Sequence, residues 1–547
     1  MDAMSRRFFL QGAASLAVAG ATGSVLAGCG SDSSSSTSTS ARTASGSATR
    51  GGRLRVGMST GGSADILDPH LAVSTIDAAR AGNLFDRLSI LGAGNKVELQ
   101  LAESFEPNAD ATEWTVRLLE GVTWHDGKPL VADDVIYTLK RIGDPASAAA
   151  GKAKVATIDL GGLKKVDDRT VTIPLTKPIA DLAASFAIFY MAIIQDGATD
   201  EMLRTSPVGT GPFVFQSLDP GKNSLFSRNP DYWQSGKPYV DELVLESITD
   251  PAARLNALLG GQIDMIEAME FAQAKAEESG GRIVIAETSP GQIVPMTMRV
   301  DTKPFDDVRV RQAMRLIADR DALVAIAQQG LGEVNNDLFG KGLEFYNDTL
   351  PQRAQDIDQA KSLLKAAGAE GITVELNTSK VAPGMLEAAT AFAEQAKAAG
   401  ITVTLNRVPD ADFYGANYLK YPFGMTQWTS QPIPSWLDDA VVTGAAFNET
   451  AWFFPEFDSL VADARGDLDA NRRQEKYFEI QKKLYDEGGY IIWGQQPFLD
   501  GLSLKVGGFT PISAQALGNY NFRDSVSYTH LRAHETKANL VCRLLLE

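Results

Sequence analysis

The chain has 547 residues, too many for one ordinary hydrophobic core, and its 44% hydrophobic and 22% charged residues are those of a soluble globular protein. A formal charge of −17 repels phosphate backbones and argues against nucleic acid as a partner. Two cysteines and four histidines leave no disulfide framework, no multi-cysteine metal site and little stock for general-base chemistry.

The first residues read as an address. Ser5-Arg6-Arg7-Phe8-Phe9-Leu10 is a twin-arginine pattern, followed by an apolar run from Leu16 to Leu26. That run falls short of the roughly 20 residues a bilayer span needs and suits an export signal. It ends in Leu26-Ala27-Gly28-Cys29, similar to the lipobox of bacterial lipoproteins, whose cysteine is acylated and becomes the mature N-terminus. Residues 1–28 are thus expected to be a twin-arginine lipoprotein signal peptide, and Cys29 to carry lipid. Residues 29–50 hold nine serines between 31 and 47 and almost nothing apolar. They cannot bury enough surface to offset ordering entropy, which predicts a flexible leash.

After residue 50 the patterns are those of a mixed α/β protein. Arg53 to Met58 alternates polar and apolar, as a half-buried strand does. Trp114, Val116 and Leu118 alternate likewise, and Val122 with Trp124 predicts a second strand after a turn at Glu120-Gly121. Asp133 is a candidate cap for a helix carrying Val135, Leu139 and Ile142. Val310, Ala313, Met314 and Ile317 recur at helical spacing, as do Ile357, Ala360 and Leu364 before Gly368. Strand 372–376, helix 385–399 and strand 401–405 predict a βαβ unit with parallel strands. A late helix bears Tyr477, Ile480 and Leu484 and stops at Gly488.

Motifs for chemistry are mostly absent. Gly57-Met58-Ser59-Thr60-Gly61 matches the nucleophile elbow of hydrolases, but Gly61-Gly62-Ser63 follows where an elbow needs a helix. No phosphate-binding G-x-x-x-x-G-K-[ST] loop occurs, so the chain does not itself hydrolyse ATP. His70 and His125 read as structural loop residues. The chain is not expected to be an enzyme, and no cofactor or metal is expected.

An ordered series of motifs covers about 470 residues. It runs Leu67-Asp68-Pro69-His70, Leu101-Ala102-Glu103-Ser104-Phe105, Trp114-Thr115-Val116-Arg117-Leu118, and Gly121-Val122-Thr123-Trp124-His125-Asp126-Gly127. Val208-Gly209-Thr210-Gly211-Pro212-Phe213, Arg228-Asn229-Pro230-Asp231-Tyr232-Trp233, Val308-Arg309-Val310-Arg311-Gln312-Ala313 and Pro455-Glu456-Phe457-Asp458 follow. In this order they resemble the family 5 solute-binding proteins of bacterial ABC importers, the dipeptide- and oligopeptide-binding group. The resemblance implies an α/β, two-lobed periplasmic-binding-protein fold with a hinge, plus an extra domain inserted next to lobe I. It places lobe I at 51–95, 206–290 and 490–524, the extra domain at 96–205 and lobe II at 291–489.

The implied function is capture of a peptide or peptide-like solute outside the membrane, followed by delivery to permease and ATPase subunits. The protein would be a monomer tethered to the membrane by lipid, periplasmic or at the cell surface. The same role with a nickel chelate, opine or sugar as cargo is the alternative, and a secreted esterase-type hydrolase the remote one. By resemblance, Val73, Ser74 and Thr75 offer backbone groups to an extended ligand. Gln427, Trp428, Thr429, Ser430 and Gln431 face them from lobe II, and Trp493 and Gln495 line the pocket. Peptide-binding relatives carry an aspartate where this chain has Gln431. A peptide ammonium thus loses its charged partner there, with Asp438 or Asp439 as possible substitutes, and N-acetylation is expected to weaken binding less than tenfold. Residues 525–547 resemble translated sequencing-adapter DNA and are expected to be a non-native tail, so His530, His534 and Cys542 are not read as a metal site.

Overall fold

The computed structural model describes residues 50–92, 95–409, 412–415, 417–509 and 516–527. The signal, Cys29, most of the leash, His530, His534 and Cys542 lie outside them. Three sheets organise the described chain. The first has nine strands and draws them from five separate stretches. Its order is Trp428–Thr429, Ile283–Ile293, Gly494–Ser503, Met265–Ile266, Arg53–Met58, Glu242–Ser247, Asn223–Arg228 and Phe213–Asp219, with Glu333–Val334 pairing aside on Gly494–Ser503. Arg53–Met58 runs parallel to both Glu242–Ser247 and Met265–Ile266, so the carboxyl ends of three strands open on one edge.

The second sheet orders Thr402–Arg407, Thr373–Thr378, Phe423–Met425, Met296–Met298 and Tyr490–Ile491. Its Thr373–Thr378 and Thr402–Arg407 strands are parallel across helix Met385–Lys397, as the βαβ pattern predicts. Alternate residues Val374 and Leu376 go into a core with Ala389, Phe392 and Ala396 from that helix, and with Met314 and Ile317 from Val308–Ile317. The third, four-stranded sheet orders Ala102–Pro107, Glu113–Leu118, Thr170–Pro174 and Lys164–Asp167, and packs on helix Ala132–Gly143 through Val135, Leu139 and Ile142.

Two expectations fail locally. Val122 and Trp124 are buried but form no strand: Trp124-His125-Asp126-Gly127 closes a turn with Gly127 N donating to Trp124 O at 2.8 Å. The cap of the following helix is made by Asp134, which accepts from Val131 N at 2.9 Å, while Asp133 pairs with Lys165 on the surface. An acid at the third helical position reaches back to the free N–H ahead of the helix, whereas one at the second points outward.

Two chain crossings join the first sheet to the second. Ile283–Ile293 and Gly494–Ser503 run antiparallel, from Ile283 opposite Ser503 to Gln292 opposite Gln496. Within three residues both chains have entered the other sheet, where Met296 pairs with Ile491 and Thr297 with Tyr490. The register slips between Thr288 and Gln292, where a Cβ on Gly291 would meet Gln496 O at 2.4 Å. Only glycine lets the two backbones come that close. Two adjacent extended crossings bend together at little cost, which is what a hinge needs.

The third sheet's domain is tied to the first lobe by a buried polar cluster. Asp86 accepts from Gln100 at 2.5 Å, Trp233 at 2.9 Å and Thr210 at 3.2 Å. His70 and Arg141, 2.7 Å apart, add a second tie. At the other end of the chain, Ser525 and Val526, expected to belong to a foreign tail, are buried, and Val526 and Ser527 pair with Gly507 and Val506.

Candidate functional site

The edge where Arg53–Met58 and Met265–Ile266 end adjoins the hinge crossings, and open α/β sheets bind ligands at such carboxyl edges. From lobe I, the loop 73–75 leads into helix Thr75–Leu84. Ser74 is that helix's N-cap: its Oγ accepts from Asp77 N at 3.3 Å and donates to Asp77 Oδ2 at 2.6 Å. Val73 is 81% exposed. Thr75 turns inward, with Oγ1 2.8 Å from Thr60 Oγ1 and donating to Glu267 Oε1 at 2.5 Å.

From lobe II, the segment 427–431 lies along the hinge. Trp428 and Thr429 pair with Ile293 and Gln292, and Ser430 N donates to Gly291 O at 2.9 Å. Trp428 is half-buried and meets Trp436 and Phe447 edge-to-face, with centroids 6.5 and 5.9 Å apart. Its indole N–H donates to Glu449 Oε1 at 3.1 Å. Glu449 also accepts from Thr426 at 3.1 Å and from the hydroxyls of Tyr418 and Tyr490. Burial pushes the Glu449 carboxyl up, and the Tyr418, Tyr490 and Thr426 hydroxyls oppose that shift. The network fixes the plane of Trp428, so the carboxylate acts on that wall through the indole it orients. Gln431 is half-buried beside Trp428 and brings no charge.

Trp493 and Gln495 serve the frame. Trp493 is 1% exposed in the lobe II core and donates to Val294 O at 2.9 Å, so its ring has no face for a ligand. Gln495 is buried, pairs with Glu333 along the backbone and accepts from Asn335 at 3.4 Å. The proposed substitute acids are engaged as well: Asp438 pairs with Arg465 at 2.6 Å and Asp439 with Lys154 at 2.9 Å. Sequence reasoning missed Glu267 and Glu449, single acids with no local pattern around them.

The elbow-like Ser59 has no base. Its Oγ donates to Glu267, while His70 bonds Ala192 O and His125 bonds Gly211 O. A hydrolytic triad needs a histidine on the serine.

Fold and site together define a two-lobed binding protein whose lobes are joined by a double crossing. A family model of bacterial extracellular solute-binding proteins, family 5, matches residues 96–442. The chain belongs to that family, the solute-binding components of ABC importers, and is not an enzyme. Among curated relatives, a dipeptide-binding protein of Escherichia coli strain K12 is 28% identical over 504 residues, 85% of this chain and 92% of its own. A heme-binding protein A of Haemophilus influenzae is 28% identical over 314 residues, 53% of this chain and 57% of its own. Among solved structures, a periplasmic binding protein of Helicobacter pylori in complex with the peptide STSA superposes with a TM-score of 0.74 at 21% identity, covering 88% of this chain and 99% of that one. AgaA of A. tumefaciens in complex with agropinic acid superposes with a TM-score of 0.75 at 23% identity, covering 88% and 100%. Among the described residues, no helix is long and apolar enough to cross a membrane.

Proposed function

We propose that this protein captures peptides or peptide-like solutes outside the membrane by hinge closure and hands them to the permease and ATPase subunits of an importer. The double crossing between the sheets carries the reading, and the dipeptide-binding relative supports the cargo class. Agropinic acid in a structural neighbour keeps opines in the test panel. A thermal-shift screen against peptides, opines, sugars and metal chelates tests it, because a solute bound only to the folded state raises the melting point. Peptide hits are the expected result. Shifts from another class alone would leave the receptor and replace its cargo.

Closure brings lobe II onto the extra domain. Lys154 meets Asp439 at 2.9 Å, Arg465 lies 3.6 Å from Asp181, and Ala180 N donates to Arg465 O at 2.7 Å. These contacts join elements anchored on opposite sides of the hinge, so opening must break them. Asp439→Asn is expected to weaken the closed state by about 1 kcal/mol and speed cargo release roughly fivefold. Stopped-flow dissociation of a screened ligand measures this, with scattering showing the lower radius of gyration of the closed form. An unchanged release rate would mean that this contact does not resist opening.

The address supports export by the twin-arginine route and a lipid tether on Cys29, holding a monomer beside its permease. Cys29→Ala is expected to move the protein from the membrane fraction to the soluble one. Continued membrane association would defeat the lipoprotein reading.

A further inference from the structure

Phe447 is a large apolar side chain left 49% exposed, and its place is fixed from two sides. Its ring stands at 79° to that of Trp428, with centroids 5.9 Å apart, and Trp428 pairs with Ile293 at the hinge crossing. Its backbone N donates to Asp439 O at 2.9 Å. Asp439 in turn makes the 2.9 Å contact with Lys154 that ties lobe II to the extra domain. Phe447 therefore stands between the hinge and that contact, on the wall of the gap the two points bound.

The facing wall follows from the same contacts. Lys154 belongs to helix Lys152–Val155, and Ala150 N, just ahead of that helix, donates to His70 O at 2.8 Å. Three residues after His70 comes exposed Val73, on the lobe I loop that leads into helix Thr75–Leu84. Single exposed apolar residues are ordinary on a protein surface. Here Val73 on one side, and Phe447 with half-buried Trp428 on the other, border the same gap. The charged groups at this corner are already engaged. Asp439 holds Lys154, and Glu449 accepts from four donors, one of them the Trp428 indole. Gln431 beside Trp428 is neutral. What this stretch of wall offers a solute is ring and methyl surface. Such surface gains by shedding water when the gap is filled, and an aromatic partner gains further from edge-to-face contact.

We propose that Phe447, together with Trp428 and Val73, forms a side-chain subsite that selects solutes carrying a large apolar side chain, aromatic ahead of branched. The proposal rests on reading the chain as a receptor for peptides or peptide-like solutes, and it names Phe447 as the residue that sets side-chain preference.

The test uses three tripeptide series, X-Ala-Ala, Ala-X-Ala and Ala-Ala-X, with phenylalanine, leucine, alanine or glutamate at X and binding read by calorimetry. In at least one series the native protein should prefer phenylalanine to alanine about tenfold, with leucine between them. Phe447→Ala should bring that ratio below about threefold, and Val73→Ser should lower it as well. An unchanged ratio in either variant overturns a subsite built from both walls. So does a loss that Phe447→Ala imposes equally on the phenylalanine and alanine peptides, because the ring would then only prop Trp428. Native protein that binds the peptides without preferring phenylalanine also overturns the subsite and leaves the receptor reading intact. Binding of no tripeptide defeats the peptide cargo and the subsite together. If Phe447→Ala does not fold, Phe447→Leu decides: an undiminished preference for phenylalanine over leucine overturns the proposal.

Discussion

Replacing Asp337 by asparagine is expected to cost about 3–5 kcal/mol, the largest loss from any single polar substitution in lobe II. The carboxylate is fully buried and holds two guanidiniums on one oxygen, Arg320 at 2.6 Å and Arg353 at 2.7 Å. Its other oxygen accepts from Ile492 N at 3.1 Å, at the entrance to the hinge crossing. A third buried cation, Arg315, bonds Tyr485 O at 2.5 Å and feels Asp337 from further away. Burial lowers Arg315 to about 9, a sign of how short of anions the region is. Asparagine keeps the shape and removes the charge, leaving Arg320 buried beside a neutral amide. Arg353 suffers less because it reaches the surface and stacks on Tyr485 at 3.9 Å. The order of cost should be Asp337→Asn, then Arg320→Met, then Arg353→Met. For a lobe of this size the first should lower the melting temperature by about 10 °C. A loss below 1 kcal/mol in urea titrations would show that the guanidiniums find enough carbonyl partners without it.

Such a cluster cannot be read from the sequence, because Asp337, Arg320 and Arg353 sit in different local patterns and meet only after folding. What could be read is what repeats along the chain. Alternation marks Arg53–Met58 and Glu113–Leu118, helical spacing marks Val308–Ile317 and Ala470–Glu487, and the βαβ unit follows from both. The pattern misleads at Val122 and Trp124, where two buried residues two apart belong to a turn that fills the extra-domain core. It is silent at Trp493, since an indole looks the same whether it packs a core or faces a ligand. Glu267 and Glu449 stayed invisible for the opposite reason. Each is an ordinary acid in sequence, and its role comes from donors dozens or hundreds of residues away. The order of motifs was more informative than any one of them, because those residues carry the joints between domains.

His70, in the first of those motifs, makes the fold acid-sensitive. The ring is fully buried at the junction of lobe I and the extra domain. Its Nε2 faces Ala192 O at 2.9 Å and its Nδ1 faces Arg141 Nη1 at 2.7 Å. A carbonyl only accepts and a guanidinium only donates, so Nε2 carries the proton and Nδ1 must stay bare. Protonating Nδ1 would set N–H against N–H and add a cation beside Arg141, which Asp68 holds at 2.5 Å. Burial above all, and then the Arg141 charge, lowers the imidazole to about 4, while the Ala192 bond and Asp68 oppose that shift. In the unfolded chain the ring titrates near 6.5, so between these values the unfolded state binds more protons than the folded one. Stability is therefore intact above about 6.5 and is lost as pH falls toward 4. The loss from this one ring should reach about 2–3 kcal/mol at pH 4.5. His70→Gln keeps a donor toward Ala192 and removes the titration. It should be less stable than the native protein at pH 7, yet lose less on acidification, so that the gap between the two narrows or closes at pH 4.5. Urea titrations of both proteins at the two pH values measure this directly. A gap that stays constant would mean that the ring is not what makes the junction acid-labile.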